Sequence, residues 1–470
     1  MMCIKHLSFH IRLIGDDSLA DKYEPGTIKT TRQQSSHSSE HTARPGCHPS
    51  LPNDEHFKQL LEVLTLPPLY TTLRINSVEN DPDNNILLEE IQLHLKKQTD
   101  ALCRPEYNMF IHPVLKDCLL IQNRGPKTID VVDKEIIVDL SCGMAVLRGA
   151  HVFKVGIMGA PMSLRAGDVV SVYADLDGHC LKGTATCYSN QKLFVGNGVA
   201  HVSRSDLFNS QTLQSGIGIL MTHPVYEAPS LAEMLTVRIS SQNLPSIACV
   251  YALDPQEGEI ILDMCAAPGG KTTHIAGLIG DKGLVIALDK SSQRVKKMQT
   301  LKKKNIEMYV FDSTKAWCPS ADGSNRPPYS PETFDRILVD APCSALGQRP
   351  CYKNEILLNQ LRSYPVIQHQ LLKTAVKLLK PGGVMVYSTC TITKEENEDQ
   401  VSRLLATNPQ IELIHTPYKL GGDALPTCDL SSEDKSKVQR FDPSFLYSDD
   451  KDLYNVDTIG FFIAKFQKLK

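Results

Sequence analysis

Two cysteines of this sequence stand where a thiol can react. Cys343 lies in the run Asp340-Ala-Pro-Cys-Ser and Cys390 in the run Ser388-Thr-Cys-Thr, and each run follows an apolar segment typical of a buried strand. Parallel strands place their carboxyl ends at one edge of a sheet, so both thiols and the Asp340 carboxylate are expected to converge there. A single cysteine at such a place is usually a core residue, whereas a pair flanked by small residues favours a reacting site. A zinc deaminase would carry a second cysteine at Leu346, which excludes that chemistry.

A loop rich in small residues follows the first apolar strand of the same region. After Asp263 and Met264 it contains Cys265, Ala266, Ala267, Pro268, Gly269, Gly270 and Lys271. The two glycines let the backbone approach a ligand closely before the next helix begins. A Walker A loop needs glycine where Cys265 stands, which argues against an ATPase, and Ala267 and Pro268 interrupt a dinucleotide fingerprint. S-adenosylmethionine, with its methionine end against this loop, is the third interpretation.

Aspartates at the ends of the next two predicted strands are suited to binding a nucleoside. Asp289 ends the second strand 20 residues after Gly269, where a carboxylate can bind both ribose hydroxyls. Asp312, one strand further on, is placed to accept a hydrogen bond from an adenine amino group. The predicted cofactor-binding set is therefore 265–271 with Asp289, Asp312 and Asp340. A nicotinamide enzyme has no use for the two thiols beyond Asp340, which favours S-adenosylmethionine.

The elements that must position these residues form an α/β pattern over residues 244–470. Strands are predicted at 259–263, 284–289, 308–312, 336–340 and 384–389. Helices, including 271–280 and 366–380, alternate with them, which predicts a doubly wound, Rossmann-like parallel sheet. The last apolar segment, 460–466, is predicted to be an antiparallel edge strand.

The sequence ahead of this catalytic region divides into three parts. Residues 1–52 are polar and lack a sustained apolar period, which predicts a disordered arm. Residues 53–132 are predicted to form a small α+β (RRM-like) part that continues at about 223–243. Residues 133–222 contain short apolar runs punctuated by glycine, a texture typical of a compact barrel or sandwich.

The composition excludes several classes of protein. The chain has 470 residues, with 50 basic and 53 acidic side chains and a net charge of −3, so it does not coat nucleic acid by charge alone. No apolar run approaches the roughly 20 residues that cross a bilayer, and no membrane partner is expected. The 14 cysteines include no Cys-x-x-Cys pair, which argues against a metal site. Scattered thiols favour a reducing compartment, and a cytoplasmic location is expected.

Taken together, the motifs resemble those of the Sun-domain (RsmB-like) RNA cytosine-C5 methyltransferases. The similar runs are Leu262–His274, Asp340–Ser344, Tyr387–Thr391, Glu395–Glu398, Arg440-Phe-Asp-Pro and Gly460-Phe-Phe-Ile-Ala. This similarity covers residues 240–470. Within the β-rich part, residues 143–152 and 166–170 resemble a PUA domain. A PUA domain inserted ahead of such a catalytic core is similar to the tRNA- and mRNA-methylating branch of the family.

The resemblance implies a covalent mechanism. Cys390 would be the nucleophile that adds to C6 of cytosine, which activates C5 toward the methyl sulfonium of S-adenosylmethionine. Cys343 would assist release of the product, and Asp340 would protonate or hydrogen-bond N3. Lys271 would lower a thiol pKa or contact the methionine carboxylate. Cytosine-C5 enzymes that act on DNA attack from the Pro-Cys position, so the residue types alone leave the roles of the two thiols open.

The resemblance also implies a substrate. The PUA-like residues 133–222 would bind the 3′ end of tRNA, and the target would be the acceptor-stem cytosine next to the discriminator base, with CCA-like hairpins in mRNA as further sites. A paired base there must be flipped or frayed to reach Cys390. A monomer is expected. Two other functions stay open, an RNA-binding adaptor with a decayed catalytic core and a nicotinamide-dependent Rossmann enzyme.

Two features depart from the family pattern. Ala345 stands where the family has glycine after Asp-Ala-Pro-Cys-Ser, and this change is expected to tighten the loop. Residues 350–364 lack the tryptophan expected there, and Trp317 is the sole tryptophan of the chain. The second departure bears on the rate and on how the target base is positioned.

Overall fold

The computed structural model describes residues 10–11, 54–76, 83–209, 215–231, 234–235, 238–301, 303–321, 326–444 and 452–470. Most of the arm predicted to be disordered lies outside these residues; within it, strand β1 (His10–Ile11) pairs in parallel with Lys353–Asn354. In the described part of the chain, no helix has the length and apolar character needed to cross a membrane.

The first large sheet combines strands from two distant parts of the chain. Helix α1 (Asp54–Thr65), strand β2 (Tyr70–Ile75), helix α2 (Asp83–Asp100) and strands β3 (Met109–Ile111) and β4 (Cys118–Gln122) follow one another. Residues Ile239–Ser241 return to this sheet and pair with β2, which gives the order 239–241, β2, β4, β3.

A six-stranded sheet forms from the part predicted to be β-rich. Its strands are β5 (Glu135–Val138), β6 (Val152–Phe153), β7 (Ile157–Gly159), β8 (Val169–Asp175), β9 (Lys192–Ala200) and β10 (Ile217–Pro224), in the order β6-β10-β9-β8-β5-β7. Helices α3 (Leu140–Leu147) and α4 (Arg204–Phe208) lie between these strands. Helix α3 begins directly after Asp139, because Asp139 Oδ1 accepts a hydrogen bond from Cys142 N (2.8 Å) and caps the helix.

The largest sheet occupies the C-terminal half and is mostly parallel. In chain order this half of the chain contains β11 (Ile239–Ser241), α5 (Leu244–Leu253), β12 (Ile260–Asp263), α6 (Gly270–Leu278), β13 (Leu284–Asp289), α7 (Ser292–Met298), β14 (Ile306–Val310), β15 (Phe334–Asp340), β16 (Lys353–Asn354), α8 (Leu358–Leu378), β17 (Leu379–Thr389), α9 (Glu398–Thr407), β18 (Ile411–Ile414), α10 (Ser432–Lys437), β19 (Gln439–Phe441), α11 (Leu453–Val456) and β20 (Phe461–Lys468). Of these, β11 belongs to the first sheet and β16 pairs with β1. Strands β14, β13, β12, β15 and β17 are parallel neighbours, which is the 3-2-1-4-5 order of a doubly wound sheet. The predicted Rossmann-like α/β fold is confirmed.

The predicted edge strand at 460–466 is antiparallel, but it is not at the edge. Strand β20 lies between β17 and β18 and pairs with both. The edge position belongs to β18, whose four residues are too few to show a strand period in the sequence. The predicted edge position of 460–466 is therefore wrong.

Apolar packing joins the first sheet to the parallel sheet. Leu115, Cys118 and Leu120 from the first sheet are buried in the same cluster as helices α5 and α6 and strand β12. Each large aliphatic side chain buried in this way contributes roughly 1.5–3 kcal/mol to stability. The first sheet is therefore built into the catalytic half rather than connected to it by a linker alone.

Candidate active site

A cleft of about 860 Å³ opens at the carboxyl ends of β12, β15 and β17. The parallel sheet contributes Asp263, Lys271, Asp340 and Cys390 to its wall. Residues from the other two sheets complete the wall, among them Tyr70, Arg148, His151 and Phe153. Open α/β sheets bind their ligands at this edge, so the cleft is the candidate active site.

The structure brings the two thiols together. Strands β15 and β17 pair in parallel with Asp340 opposite Ser388, so the loops that follow leave the sheet side by side. Cys343 Sγ lies 3.4 Å from Cys390 Sγ. Cys390 is one of the residues that line the cleft.

The two thiols differ in their protonation. The hydrogen bond from Cys343 lowers the pKa of Cys390, and the charge of Lys271 adds to that effect. The same hydrogen bond, together with burial, raises the pKa of Cys343 well above its usual range. Cys390 is therefore the more readily ionised of the two thiols, and the thiolate is the nucleophilic form of cysteine.

Hydrogen bonds between the two loops fix the spacing of the thiols. Gly347 N donates to the backbone oxygen of Cys390 at 3.1 Å. Ser344 Oγ lies 2.6 Å from Thr391 Oγ1. The buried carboxylate of Glu396 accepts from Ser344 N at 2.9 Å. Sequence analysis named Glu396 only as part of a motif, because this bond joins residues 52 positions apart and no local spacing reveals it.

The turn that carries Cys343 contains a strained residue. Ala345 adopts φ = 56°, in the left-handed region that disfavours a residue with a Cβ atom. Two residues later, Gly347 packs so closely on Gly460 that an added Cβ would lie 2.1 Å from the Gly460 oxygen. The departure from glycine at position 345 therefore places strain in the loop next to the thiols.

Lys271 and Asp340 form an ion pair inside the cleft. Lys271 Nζ lies 2.8 Å from Asp340 Oδ2, and Asp340 Oδ1 accepts a hydrogen bond from Ser388 Oγ at 2.7 Å. Burial by itself lowers the pKa of Lys271, but the Asp340 carboxylate outweighs it, so the net pKa is raised and the lysine stays protonated. The pair thus places a proton donor and a carboxylate on the same wall as Cys390.

Two buried polar atoms of the cleft wall have no hydrogen-bond partner among the described residues. Asp263 Oδ2 accepts from Thr272 Oγ1 at 2.7 Å, but Asp263 Oδ1 is unpaired, and burial raises the pKa of this carboxyl to about 7. Gln242 Nε2 is also unpaired. Because buried polar groups are normally satisfied, one free donor and one free acceptor on the same wall fit a ligand with an amino-acid end, such as S-adenosylmethionine.

The glycine-rich loop has the shape expected of a cofactor loop. Gly269 adopts φ = 103° just before α6, a conformation that favours glycine. The members of the predicted loop that line the cleft are Ala266, Ala267, Pro268, Gly270 and Lys271. Cys265 is not a second nucleophile, because burial raises the pKa of its thiol well above the usual range.

Asp289 is the last residue of β13, Asp312 follows the end of β14 by two residues, and both carboxylates support backbone turns. Asp289 Oδ2 accepts from Ala267 N (3.2 Å) and its Oδ1 from Ser291 N (2.8 Å). Asp312 Oδ1 accepts from Thr314 Oγ1 at 2.7 Å. Neither aspartate is among the described residues that line the 860 Å³ cleft, although the hydrogen bond from Ala267 N joins Asp289 to the glycine-rich loop.

Sequence analysis missed a buried ion pair on the far wall of the cleft. Arg349 Nη1 lies 2.6 Å from Asp457 Oδ1, and Arg349 Nε donates to the backbone oxygen of Val63 at 3.0 Å. Asp457 stands 108 residues after Arg349, so no sequence spacing links them. The pair joins α1 to the catalytic half and closes that side of the cleft.

Comparison with known proteins identifies the family. The model of the 16S rRNA methyltransferase RsmB/F family matches residues 250–467. The tRNA (cytosine(72)-C(5))-methyltransferase NSUN6 of Mus musculus is 45% identical over 438 residues, which cover 88% of this chain and 90% of that protein. The tRNA (cytosine(72)-C(5))-methyltransferase of Pyrococcus horikoshii is 30% identical, with 88% and 94% covered. The crystal structure of NSun6 from Pyrococcus horikoshii with SFG has a TM-score of 0.69 at 29% identity and covers 88% of this chain and 95% of that one.

These similarities extend the resemblance seen in the motifs from residues 240–470 to most of the chain. The predicted family and cofactor are confirmed, and the nicotinamide-dependent alternative is wrong. The chain belongs to the RsmB/F family of S-adenosylmethionine-dependent RNA (cytosine-C5)-methyltransferases.

Proposed function

We propose that this enzyme methylates C5 of the tRNA acceptor-stem cytosine next to the discriminator base, with CCA-like hairpins in mRNA as further substrates. The observation that carries the proposal is the pair of sulfur atoms, 3.4 Å apart, with Cys390 on the wall of the cleft. The printed names of two relatives, both tRNA (cytosine(72)-C(5))-methyltransferases, support this choice of RNA.

The first step belongs to Cys390. Its thiolate adds to C6 of the cytosine ring, which breaks the C5–C6 double bond and makes C5 nucleophilic. The ring then needs a proton at N3, and the Lys271–Asp340 pair holds one across 2.8 Å on the same wall. The proton passes from Lys271 through the Asp340 carboxyl to N3. S-adenosylmethionine, when bound, supplies the methyl group that C5 takes up.

The last step belongs to Cys343. The Lys271–Asp340 pair, which gave up one proton in the first step, takes the C5 proton. The electrons of that C–H bond restore the C5–C6 double bond and break the bond between Cys390 Sγ and C6. The proton on N3 of the product then passes to solvent. The departing sulfur becomes a thiolate again, and the Cys343 thiol, which keeps its proton, stabilises it by a hydrogen bond across 3.4 Å. The opposite pKa shifts of the two thiols support this division of roles.

RNA recognition belongs, in this proposal, to the parts ahead of the catalytic domain. We assign residues 133–222 as a PUA-like domain that binds the 3′ end of the RNA, 53–132 with 223–243 as an RRM-like part, and 244–470 as the catalytic domain. Support comes from Arg148, His151 and Phe153, which line the same cleft as Cys390. An RNA end held beside them presents a neighbouring, flipped nucleotide to the thiolate. We further propose that the enzyme acts as a monomer in the cytoplasm.

Methylation of an acceptor-stem transcript by the full chain tests the proposal. With S-adenosylmethionine present, the wild type forms 5-methylcytosine at the target position, and a transcript with uridine there stays unmodified. Cys390→Ala abolishes methylation, whereas Cys343→Ala accumulates a covalent protein–RNA adduct on a denaturing gel. Cys318→Ala, which removes a thiol elsewhere in the catalytic half, leaves both readouts unchanged.

Two results would contradict the proposal. An adduct that forms with Cys390→Ala and not with Cys343→Ala would reverse the roles of the two thiols. Methylation of a different cytosine by the wild type, with the acceptor-stem position untouched, would overturn the proposed substrate while leaving the family assignment in place.

A further inference from the structure

A buried arginine of the first sheet contacts the cofactor loop. Arg74 lies on β2 and is only 2% exposed. Its Nη1 donates to Gln242 Oε1 at 2.7 Å and to the backbone oxygen of Gly270, and its Nη2 donates to Thr273 Oγ1 at 3.0 Å. Gly270 begins α6, directly after the loop turn. One guanidinium thus binds the first turn of α6 and a side chain of the cleft wall together.

Arg74 fixes the orientation of the Gln242 side-chain amide. Because the guanidinium can only donate, it fixes the carbonyl oxygen of the amide toward itself and leaves Nε2 on the other side. Gln242 is 9% exposed and lines the cleft, and Nε2 has no partner among the described residues. A buried amide donor left free in this way costs stability unless a ligand accepts its hydrogen bond.

The unpaired polar atoms beside Gln242 indicate which chemical group of a ligand binds there. Asp263 Oδ1 is an unpaired acceptor on the same wall, and Gln242 Nε2 is an unpaired donor. An α-amino acid carries both complements, a carboxylate that accepts and an ammonium that donates. The positive charge of Arg74, one hydrogen bond behind the Gln242 amide, favours the carboxylate on that side.

We propose that Gln242 Nε2 binds the carboxylate of the amino-acid end of S-adenosylmethionine beside Asp263, and that Arg74 is the positioning residue that holds Gln242 and Gly270 for it. The cofactor site is then completed by the first sheet and is not a property of residues 244–470 alone. The inference rests on the family's cofactor and deepens the site proposed above. It gives the first sheet a role in cofactor binding in addition to its packing.

Titration calorimetry of the full chain with two ligands tests the inference. S-adenosylhomocysteine carries the amino-acid end, and 5′-methylthioadenosine lacks it. Gln242→Glu keeps the acceptor for Arg74 and the side-chain size, but it replaces the free donor by a negative charge. We expect its Kd for S-adenosylhomocysteine to rise about ten- to hundredfold, with the Kd for 5′-methylthioadenosine within about twofold of wild type.

Variants of Arg74 separate positioning from packing. Arg74→Met is expected to weaken S-adenosylhomocysteine binding about tenfold or more, and Arg74→Lys to restore part of that loss because an ammonium can still donate to Gln242. Gln467→Glu is the matched control, since Gln467 Nε2 donates to Gly382 at the opposite ends of the parallel strands. It leaves both affinities unchanged.

The outcomes are distinguishable. Gln242→Glu with unchanged affinity for S-adenosylhomocysteine would overturn the inference, and so would an equal loss for both ligands, which indicates general damage to the site. If Arg74→Met does not fold, Gln242→Glu alone decides the question. A wild type that binds neither ligand would overturn the cofactor site itself and not this inference in particular.

Discussion

The thiol loops and the part of the cleft wall formed by Asp263 and Gln242 differ in how their polar atoms are hydrogen-bonded. Around Cys343 and Cys390, the loops bond to each other through Ser344, Thr391 and Glu396. In the Asp263–Gln242 part of the wall, Asp263 Oδ1 and Gln242 Nε2 are buried and unpaired among the described residues. A covalent step needs its reacting atoms held at a fixed distance, whereas a binding wall keeps donors and acceptors free for its ligand. The contrast separates the half of the cleft that reacts from the half that binds.

Loss of the hydrogen bonds that Glu396 accepts in the thiol loops should damage the reacting half of the cleft most. In Glu396→Gln, the side chain keeps one acceptor oxygen in place of two, so it can no longer serve both Ser344 N and Thr393 Oγ1. We expect kcat to fall about 10- to 100-fold, because hydrogen bonds to a buried charge contribute about 1.5–3 kcal/mol each. The affinity for S-adenosylhomocysteine is expected to stay within about twofold.

Single-turnover methylation and calorimetry measure the two effects separately. Glu395→Gln is the matched control, because Glu395 is exposed next to Glu396. An equal loss of rate in both variants, or a loss of cofactor affinity as large as the loss of kcat, would remove the distinction between the two halves.

The binding half should respond to pH with a smaller effect. Burial raises the pKa of Asp263 to about 7 in the free protein, with Asp340 adding to the rise, and Thr272 and Lys271 opposing it. The ammonium of the ligand binds the ionised carboxylate, so affinity is complete above pH 7 and is lost as pH falls below it. We expect the Kd for S-adenosylhomocysteine to rise up to about tenfold per pH unit below 7.

Calorimetry at several pH values, in the wild type and in Asp263→Asn, checks this dependence. The asparagine variant is expected to bind weakly with a flat profile over the same range. A wild-type affinity that does not change between pH 6 and pH 8, or that improves as the pH falls, would show that Asp263 does not face the ammonium.

The smallest expected effect concerns the strained turn at Ala345 in the reacting half of the cleft. Ala345→Gly relieves the left-handed backbone at φ = 56°, and the gain offsets the extra freedom of glycine in the unfolded chain. We expect a net stabilisation of about 0.5–1 kcal/mol in urea denaturation, with methylation within about twofold. Ala316→Gly, at φ = −72°, should instead destabilise by a similar amount. Destabilisation by Ala345→Gly would show that the turn is not strained.

The reacting half was largely predictable from the sequence. Cys343, Cys390 and Asp340 each follow a buried strand, and the parallel arrangement forces strand ends to one edge, so local patterns were enough to bring them together. The protonation of the pair was not predictable. It depends on a 3.4 Å contact between two loops that leave the sheet 47 residues apart.

The binding half was only partly predictable. The glycine-rich loop can be recognised from the spacing of its residues. The contact between Arg74 and Gln242 cannot, because the two residues are 168 positions apart and meet through a strand pairing that no local period encodes. Asp263 is absent from the predicted cofactor-binding residues, because its unpaired oxygen and its raised pKa follow from burial, which the sequence does not show. Strand β18 was missed for the related reason that four residues carry too little pattern.

The central position of β20 constrains when the enzyme becomes active. Strand β17, which leads to Cys390, takes β20 as its neighbour, and β18 cannot join the sheet until β20 is present between them. During synthesis, residues 461–468 leave the ribosome after every other strand of that sheet has been made. A nascent chain therefore carries both thiols well before it can hold them in a finished sheet, which delays RNA modification until translation has passed this strand.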